Sequence, residues 1–266
     1  MKPFIRYIGS KSFLLKSIKL PTQINNYYEP FVGGGSIFFH INNHYKIKKN
    51  YINDINIDII NIYKVLKTNR KKLIEILDNL NISHNKNEFI GLINLYNKKT
   101  TNKIVKAAIL IYMSKRCFNS DFHYDKNGNI NPSYSNIKSK SNIYNKDNLE
   151  NISKLLKNTI IKRQDYKTFI TKLNPKSGDF VFFDPPYLVK NVKSFYKNIF
   201  TLQDFQNLKT ICDNLDKNNV NFMITLNCHK DLKKIFKGYK IKCVTKNHSK
   251  VSNGKRLEKE MIITNY

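Results

Sequence analysis

The residues best able to do chemistry sit together at Asp184-Pro185-Pro186-Tyr187. The acid accepts hydrogen bonds, the Pro185 carbonyl is a second acceptor beside it, and the following ring lock keeps that carbonyl in place. Two adjacent acceptors suit a planar amine with two hydrogens, such as the exocyclic amine of adenine. That nitrogen is a poor nucleophile because its lone pair is delocalised into the ring. Gripping both hydrogens favours the pyramidal geometry that frees the pair, and a carboxylate stabilises the positive charge that develops. Tyr187 supplies a face on which the base, swung out of its duplex, can stack. In-line placement of amine and methyl group is worth up to ~7–11 kcal/mol, so this chemistry calls for neither a metal nor a covalent intermediate. A bare Asp-Pro is usually a strand-to-loop turn with a capping acid; the second proline, the aromatic ring and the preceding apolar run favour function here.

That run, Phe180-Val181-Phe182-Phe183, is apolar on both faces and predicts a buried parallel strand, which the prolines terminate. In open α/β sheets, ligands bind at the carboxyl ends of strands. A second such end is Tyr27-Tyr28-Glu29-Pro30-Phe31-Val32-Gly33-Gly34-Gly35-Ser36. Its glycines allow close approach of backbone to ligand. Phe38 breaks the Gly-x-Gly-x-x-Gly spacing, which argues against a pyrophosphate cradle and leaves room for a smaller adenosine-bearing cofactor. A third strand, Asn50 to Asn53, ends in Asp54, 19 residues after Gly35. Asp54 either accepts from ribose hydroxyls or caps the helix that starts near Ile57. Asp165-Tyr166 follows a short strand, Thr159 to Lys162, and either recognises an adenine ring or caps the next helix. Arg6 to Lys11 precedes a predicted helix, Ser12 to Ile18, and is a plain cap or a helix start closing over a ligand.

Helical patterns at Ile57–Leu66, Lys71–Leu80, Glu88–Tyr96 and Ile104–Met113 interrupt the α/β alternation and predict an inserted helical subdomain. Tyr124 to Ile130 then carries Asn127-Gly128, a hairpin signal, fit for a DNA major groove or simply a surface turn. The Lys/Ser/Asn-rich stretch Ile137 to Asn148 is expected to be a mobile linker. Alternation resumes with a helix at Leu149–Leu156, the strand and Asp165 above, a helix at Lys167–Leu173, and the catalytic strand. Val189 to Phe200 has no pattern and is expected to close over substrate. A helix at Leu202–Leu215, a strand at Asn221–Leu226, a helix at Asp231–Phe236 and strands at Tyr239–Thr245 and Met261–Asn265 complete the chain. The expected division is a catalytic unit of residues 1–56 and 145–266 around an insert of 57–144.

Lys and Arg number 47 against 19 Asp and Glu, a formal charge of +28 that favours a polyanionic partner, nucleic acid before an anionic membrane. No apolar run is long enough to span a bilayer, and the first residues lack the apolar core of a signal peptide. The four cysteines are scattered and the six histidines show no ligand spacing, so reduced thiols, an intracellular setting and no structural metal are expected.

In these motifs the chain resembles the Dam-like, D12-class DNA adenine methyltransferases. Asp184-Pro185-Pro186-Tyr187 matches the catalytic tetrad of the family unchanged. Arg6-Tyr7-Ile8-Gly9-Ser10-Lys11 is similar to its N-terminal Lys-Trp-Ala-Gly-Gly-Lys, Phe31-Val32-Gly33-Gly34-Gly35 to its Phe-x-Gly-x-Gly, and Asn53-Asp54-Ile55-Asn56 to its Ala-Asp-Ile-Asn. The resemblance implies a Rossmann-like methyltransferase sheet, mostly parallel with an antiparallel last strand, plus a helical target-recognition insert with a β-hairpin. It implies S-adenosylmethionine as cofactor, held by Tyr7, Lys11, Phe31, Gly33, Gly35, Ser36, Asp54, Asp165, Tyr166 and Asp184. It implies transfer of a methyl group to adenine N6 in double-stranded DNA.

The insert matches through Tyr112 to Asn119 and Tyr124-x-x-x-Gly128-x-x-Asn131, and Asn227 with Ser252-Asn253-Gly254 and Arg256 fits the late motifs. By this match Arg116, Asn119, His123, Tyr124, Lys126, Asn131, Ser252, Asn253 and Arg256 would face DNA. His123 stands where members reading GATC carry Arg, and His cannot reproduce a bidentate Arg–guanine contact, so GATC is not implied. A bacterial cell or viral factory, a cognate restriction endonuclease and a monomer or weak dimer are the expected setting. Methylation of adenine in RNA, and DNA binding without catalysis, are the alternatives.

Overall fold

In the computed structural model, residues 1–80, 85–118, 124–135, 142–188, 200–246 and 258–266 are described, with the backbone alone for Lys246 and Glu258. The strands are β1 (Asn26–Glu29), β2 (Lys49–Asn53), β3 (Thr159–Lys162), β4 (Phe180–Phe183), β5 (Asn221–Asn227), β6 (Lys240–Lys246) and β7 (Glu258–Thr264). They form one sheet in the order β3-β2-β1-β4-β5-β7-β6. β1 to β5 pair in parallel, and β7 runs antiparallel to both β5 and β6. This bears out the expected mostly parallel sheet with an antiparallel last strand. Strand order reverses between β1 and β4, which makes the crevice beyond their carboxyl ends the switch point where α/β sheets take ligands.

Alternation along β4 explains its apolar sequence. Phe180 and Phe182 join a core with Tyr27 of β1 on one face, while Val181 and Phe183 join a second core on the other. The first core lies under α1 (Ser36–His44), α2 (Ile57–Thr68), α3 (Arg70–Leu80), α4 (Lys86–Asn97), α5 (Lys103–Arg116) and α6 (Lys146–Lys157). It runs without a break from sheet residues such as Ile52 to Leu73, Phe89 and Ile109 of the helical insert. The second lies under α7 (Tyr166–Leu173), α8 (Leu202–Lys217) and α9 (Lys230–Ile235).

Two local expectations are corrected and a third is refined. Instead of a helix to Ile18, Ser12–Leu14 forms a single 3-10 turn, because so short a serine-containing span cannot nucleate an α-helix. The described end of the supposed linker, residues 142–148, is anchored: Ile143 is fully buried, the Tyr144 hydroxyl donates to Asp78, and α6 begins at Lys146 with Asn145 as its cap, while residues 137–141 lie outside the described residues. The expected hairpin is present but short: Cys117 bridges Tyr134, the Asp125 N–H donates to the Asn129 carbonyl at 2.9 Å, and the closing antiparallel bridge is Tyr124 with Ile130. Between the latter two residues, the Asp125 carboxylate accepts from the backbone N–H of both Asn127 and Asn129, at 2.8 Å each. This side-chain-built turn takes donors that a ladder would use. The expected substrate-closing stretch 189–199 and the polar loop 247–257 lie outside the described residues.

Candidate active site

β1 ends in a turn that only glycine can form. Gly35 has φ 72°, and a Cβ there would stand 2.5 Å from the Tyr63 hydroxyl; at Gly33 it would meet the Tyr7 ring at 3.1 Å. The turn is therefore sandwiched between two tyrosines, with Tyr63 donating to the Gly33 carbonyl at 3.1 Å. Ser36 begins α1 and accepts from the Lys11 N–H at 3.2 Å, which fastens the N-terminal segment over the same turn. Asp54, just past β2, accepts from the Gly33 N–H (3.0 Å) and the Asn56 N–H (2.9 Å). Burial pushes its carboxyl above the usual carboxylate range against the pull of those donors. A carboxylate has about four acceptor sites, so with these backbone donors Asp54 keeps acceptor capacity for a ribose hydroxyl.

β4 delivers Asp184 beside β5 in register, and Thr225 of β5 donates to Asp184 Oδ1 at 2.8 Å. Lys11 Nζ reaches the same oxygen at 2.8 Å and lies 3.4 Å from Glu260 Oε1 of β7. The Lys11 side chain is 3% exposed. Burial opposes its charge, yet Asp184, Tyr187 and Glu260 together hold it above the ordinary lysine value. Asp184 is 20% exposed at its side chain, and burial drives its carboxyl up while Lys11 and Thr225 pull it down. Among the described residues nothing donates to Asp184 Oδ2 or to the Pro185 carbonyl. One oxygen of the acid is thus held and its neighbour is left for a ligand. The Tyr187 hydroxyl donates to both Glu260 oxygens, at 2.6 and 2.7 Å, and its ring centroid lies 4.9 Å from Lys11 Nζ.

The structure therefore brings Tyr7, Lys11, Gly33, Gly35, Ser36, Asp54, Asp184 and Tyr187 to one switch-point crevice, with Pro185 buried and Pro186 exposed. Phe31 and Tyr166 pack together instead in the second core, ring centroids 5.2 Å apart, and the Tyr166 hydroxyl donates to the Asp204 carbonyl. Asp165 is exposed and caps α7 by accepting from the Lys167 N–H. In the insert, Lys126 and Asn131 are exposed, whereas Arg116 is only 6% exposed and Tyr124 donates to Asp58. Asn119, His123, Ser252, Asn253 and Arg256 lie outside the described residues. Thr225 and Glu260 are additions that the sequence reading missed. A polar residue inside an apolar strand is a signal for the first; Glu260, one step before the predicted last strand, acquires meaning only from the strand order.

A separate surface hollow of about 400 Å³ lies between the end of α2, the start of α3 and α6. Its charged lining is entirely basic, with Lys67, Arg70, Lys71, Lys72 and Lys157, and it holds no acid or ring able to perform the chemistry above.

Sheet order, a glycine turn at the first strand end and acids at the next two define a Rossmann-like methyltransferase. Residues 7–249 match the D12 class of N6 adenine-specific DNA methyltransferases, and the chain belongs to that family. It transfers methyl groups to adenine N6 in DNA, with S-adenosylmethionine as donor. It is 32% identical to the type II methyltransferase M.MjaIII of Methanocaldococcus jannaschii, over 100% of this chain and 99% of that protein. It is 30% identical to the type II methyltransferase M1.LlaDCHI of Lactococcus lactis subsp. cremoris, over 100% and 96%. A DNA adenine methylase of Vibrio cholerae is 25% identical over 95% of this chain and 91% of its own.

Proposed function

We propose that Asp184 Oδ2 and the Pro185 carbonyl grip the two hydrogens of a flipped-out adenine amine, while Tyr187 stacks on the base. The unclaimed oxygen of a largely buried acid, whose other oxygen is fixed by Lys11 and Thr225, carries this reading. Fixing one oxygen sets the direction of the other before substrate arrives, so little reorganisation remains for the reacting step. Lys11 also favours the ionised carboxylate, the form that accepts from the amine and stabilises its developing positive charge. The extra proton of the methylated nitrogen is then received at Asp184 Oδ2.

The crevice fits the cofactor: the positive-φ glycines bend the chain sharply between β1 and α1 at the strand's carboxyl end, and Asp54 beside that turn retains acceptor capacity. Tyr7, Lys11, Gly33, Gly35, Ser36 and Asp54 would hold S-adenosylmethionine, with Phe31, Asp165 and Tyr166 bordering it. When bound, it supplies an electrophilic methyl group on a sulfonium. Residues 57–144 form the target-recognition segment, in which exposed Lys126 and Asn131 meet the duplex together with Asn119 and His123. Ser252, Asn253 and Arg256 add a second contact. The likeness to type II enzymes supports an intracellular modification role beside a cognate endonuclease, by a monomer or weak dimer.

Purified protein, labelled S-adenosylmethionine and duplex DNA of mixed sequence test the assignment. The expected product is N6-methyladenine, and Asp184→Ala lowers its formation by about 10²–10³-fold or more while DNA binding persists. Undiminished transfer by that variant, or label on another base, overturns the reading.

A further inference from the structure

We propose that Glu260 is a positioning residue for methyl transfer, orienting Tyr187 through its hydroxyl and sharing Lys11 with Asp184. The inference rests on the roles of Asp184 and Tyr187 given above. β7 sets Glu260 opposite Asn227 at the carboxyl end of β5, next to the catalytic strand. Its side chain is 5% exposed. A buried carboxylate is costly unless paired and hydrogen-bonded; this one takes the Tyr187 hydroxyl on both oxygens and faces the Lys11 ammonium.

Stacking on a base needs only the ring, and phenylalanine would stack as well as tyrosine. The hydroxyl is therefore surplus to stacking, and the structure spends it wholly on Glu260. Tyr187 follows two prolines and belongs to no helix or strand, so this two-oxygen contact fixes the ring edge where secondary structure does not. Lys11 is the second arm. It lies between two carboxylates and below the same ring, so the Glu260 charge draws the ammonium partly away from Asp184. Without that charge Asp184 would be the one anion facing Lys11, whose remaining partner is the Gly9 carbonyl at 2.9 Å, and the acid would accept more weakly from a substrate amine.

The test is single-turnover methyl transfer to duplex DNA by Glu260→Gln, by Tyr187→Phe and by the double variant, with cofactor and DNA affinities measured alongside. Glu260→Gln keeps the shape and removes the charge. Its expected transfer rate is lower by roughly 10–100-fold, the range for outer partners that orient a reacting group, with both affinities within about threefold of the original. Because part of the effect passes through the hydroxyl, the double variant should lose far less than the product of the two single losses. An unchanged rate in Glu260→Gln, or losses that multiply in full, overturns the proposal. If Glu260→Gln does not fold, Tyr187→Phe alone decides: a lowered rate at unchanged affinity supports it, and an unaltered rate refutes it. Failure of the unmodified protein to methylate adenine would instead overturn the parent assignment.

Discussion

Acids are scarce in this chain, yet Glu29, Asp54, Asp184 and Glu260 all gather around the carboxyl ends of neighbouring strands. Two of them were legible, because an acid directly after an apolar strand stands out from sequence alone. Thr225 and Glu260 were not, since their meaning depends on which distant strands become neighbours. Glu29 is the most deeply placed. It accepts from the Tyr27 hydroxyl at 2.8 Å, and burial drives its carboxyl well above the ordinary range despite that bond. A proton is therefore held more tightly by the folded than by the unfolded chain. Stability is highest where both states are protonated and declines as pH rises through the ordinary carboxylate value towards the raised one. Glu29→Gln removes this contribution, so its melting temperature should fall less than that of the unmodified protein between about pH 5 and 8. Parallel melting curves for the two proteins would contradict the buried ionisable assignment.

Among the elements, the start of α2 ties the expected cofactor acid to the insert. Asn56 caps α2 by accepting from the Asp58 N–H at 2.9 Å and donates to the Tyr124 hydroxyl at 3.3 Å; Tyr124 in turn donates to Asp58 Oδ2 at 2.8 Å. Resemblance placed Tyr124 against DNA, but this geometry gives its hydroxyl a partner within the protein. Tyr124→Phe should thus lower unfolding free energy by about 1.5–3 kcal/mol, as for a lost bond to a charged group, seen in urea titrations. Weaker DNA binding at unchanged stability would restore the DNA-contact reading. The turn itself was readable from Asp125 and Asn127-Gly128. The shortness of its ladder was not, because a side chain competing for backbone donors leaves the same composition as a longer hairpin.

For the whole molecule, the parallel strands were legible because burial on two faces writes continuous apolar runs, and the helices on either side followed from alternation. Over residues 142–148 the linker expectation failed on one residue, Ile143, an apolar anchor within a polar stretch. The formal charge of +28 implies that association with a duplex is dominated by counterion release. Engaging about four phosphates would cost roughly 150-fold in affinity between about 50 and 200 mM salt. Fluorescence anisotropy with a labelled duplex measures this, and affinity indifferent to salt would remove charge from the account.

β7 occupies the space between β5 and β6, although both of those strands precede it along the chain. While residues before 258 are still emerging from the ribosome, β5 has a naked edge and Lys11 lacks one of its two anions. The glycine turn, Asp54 and Asp184 have by then all been translated, yet the reacting pocket has no back wall. Glu260, and with it the second anion facing Lys11, joins the crevice only once this late strand has been laid between its two predecessors.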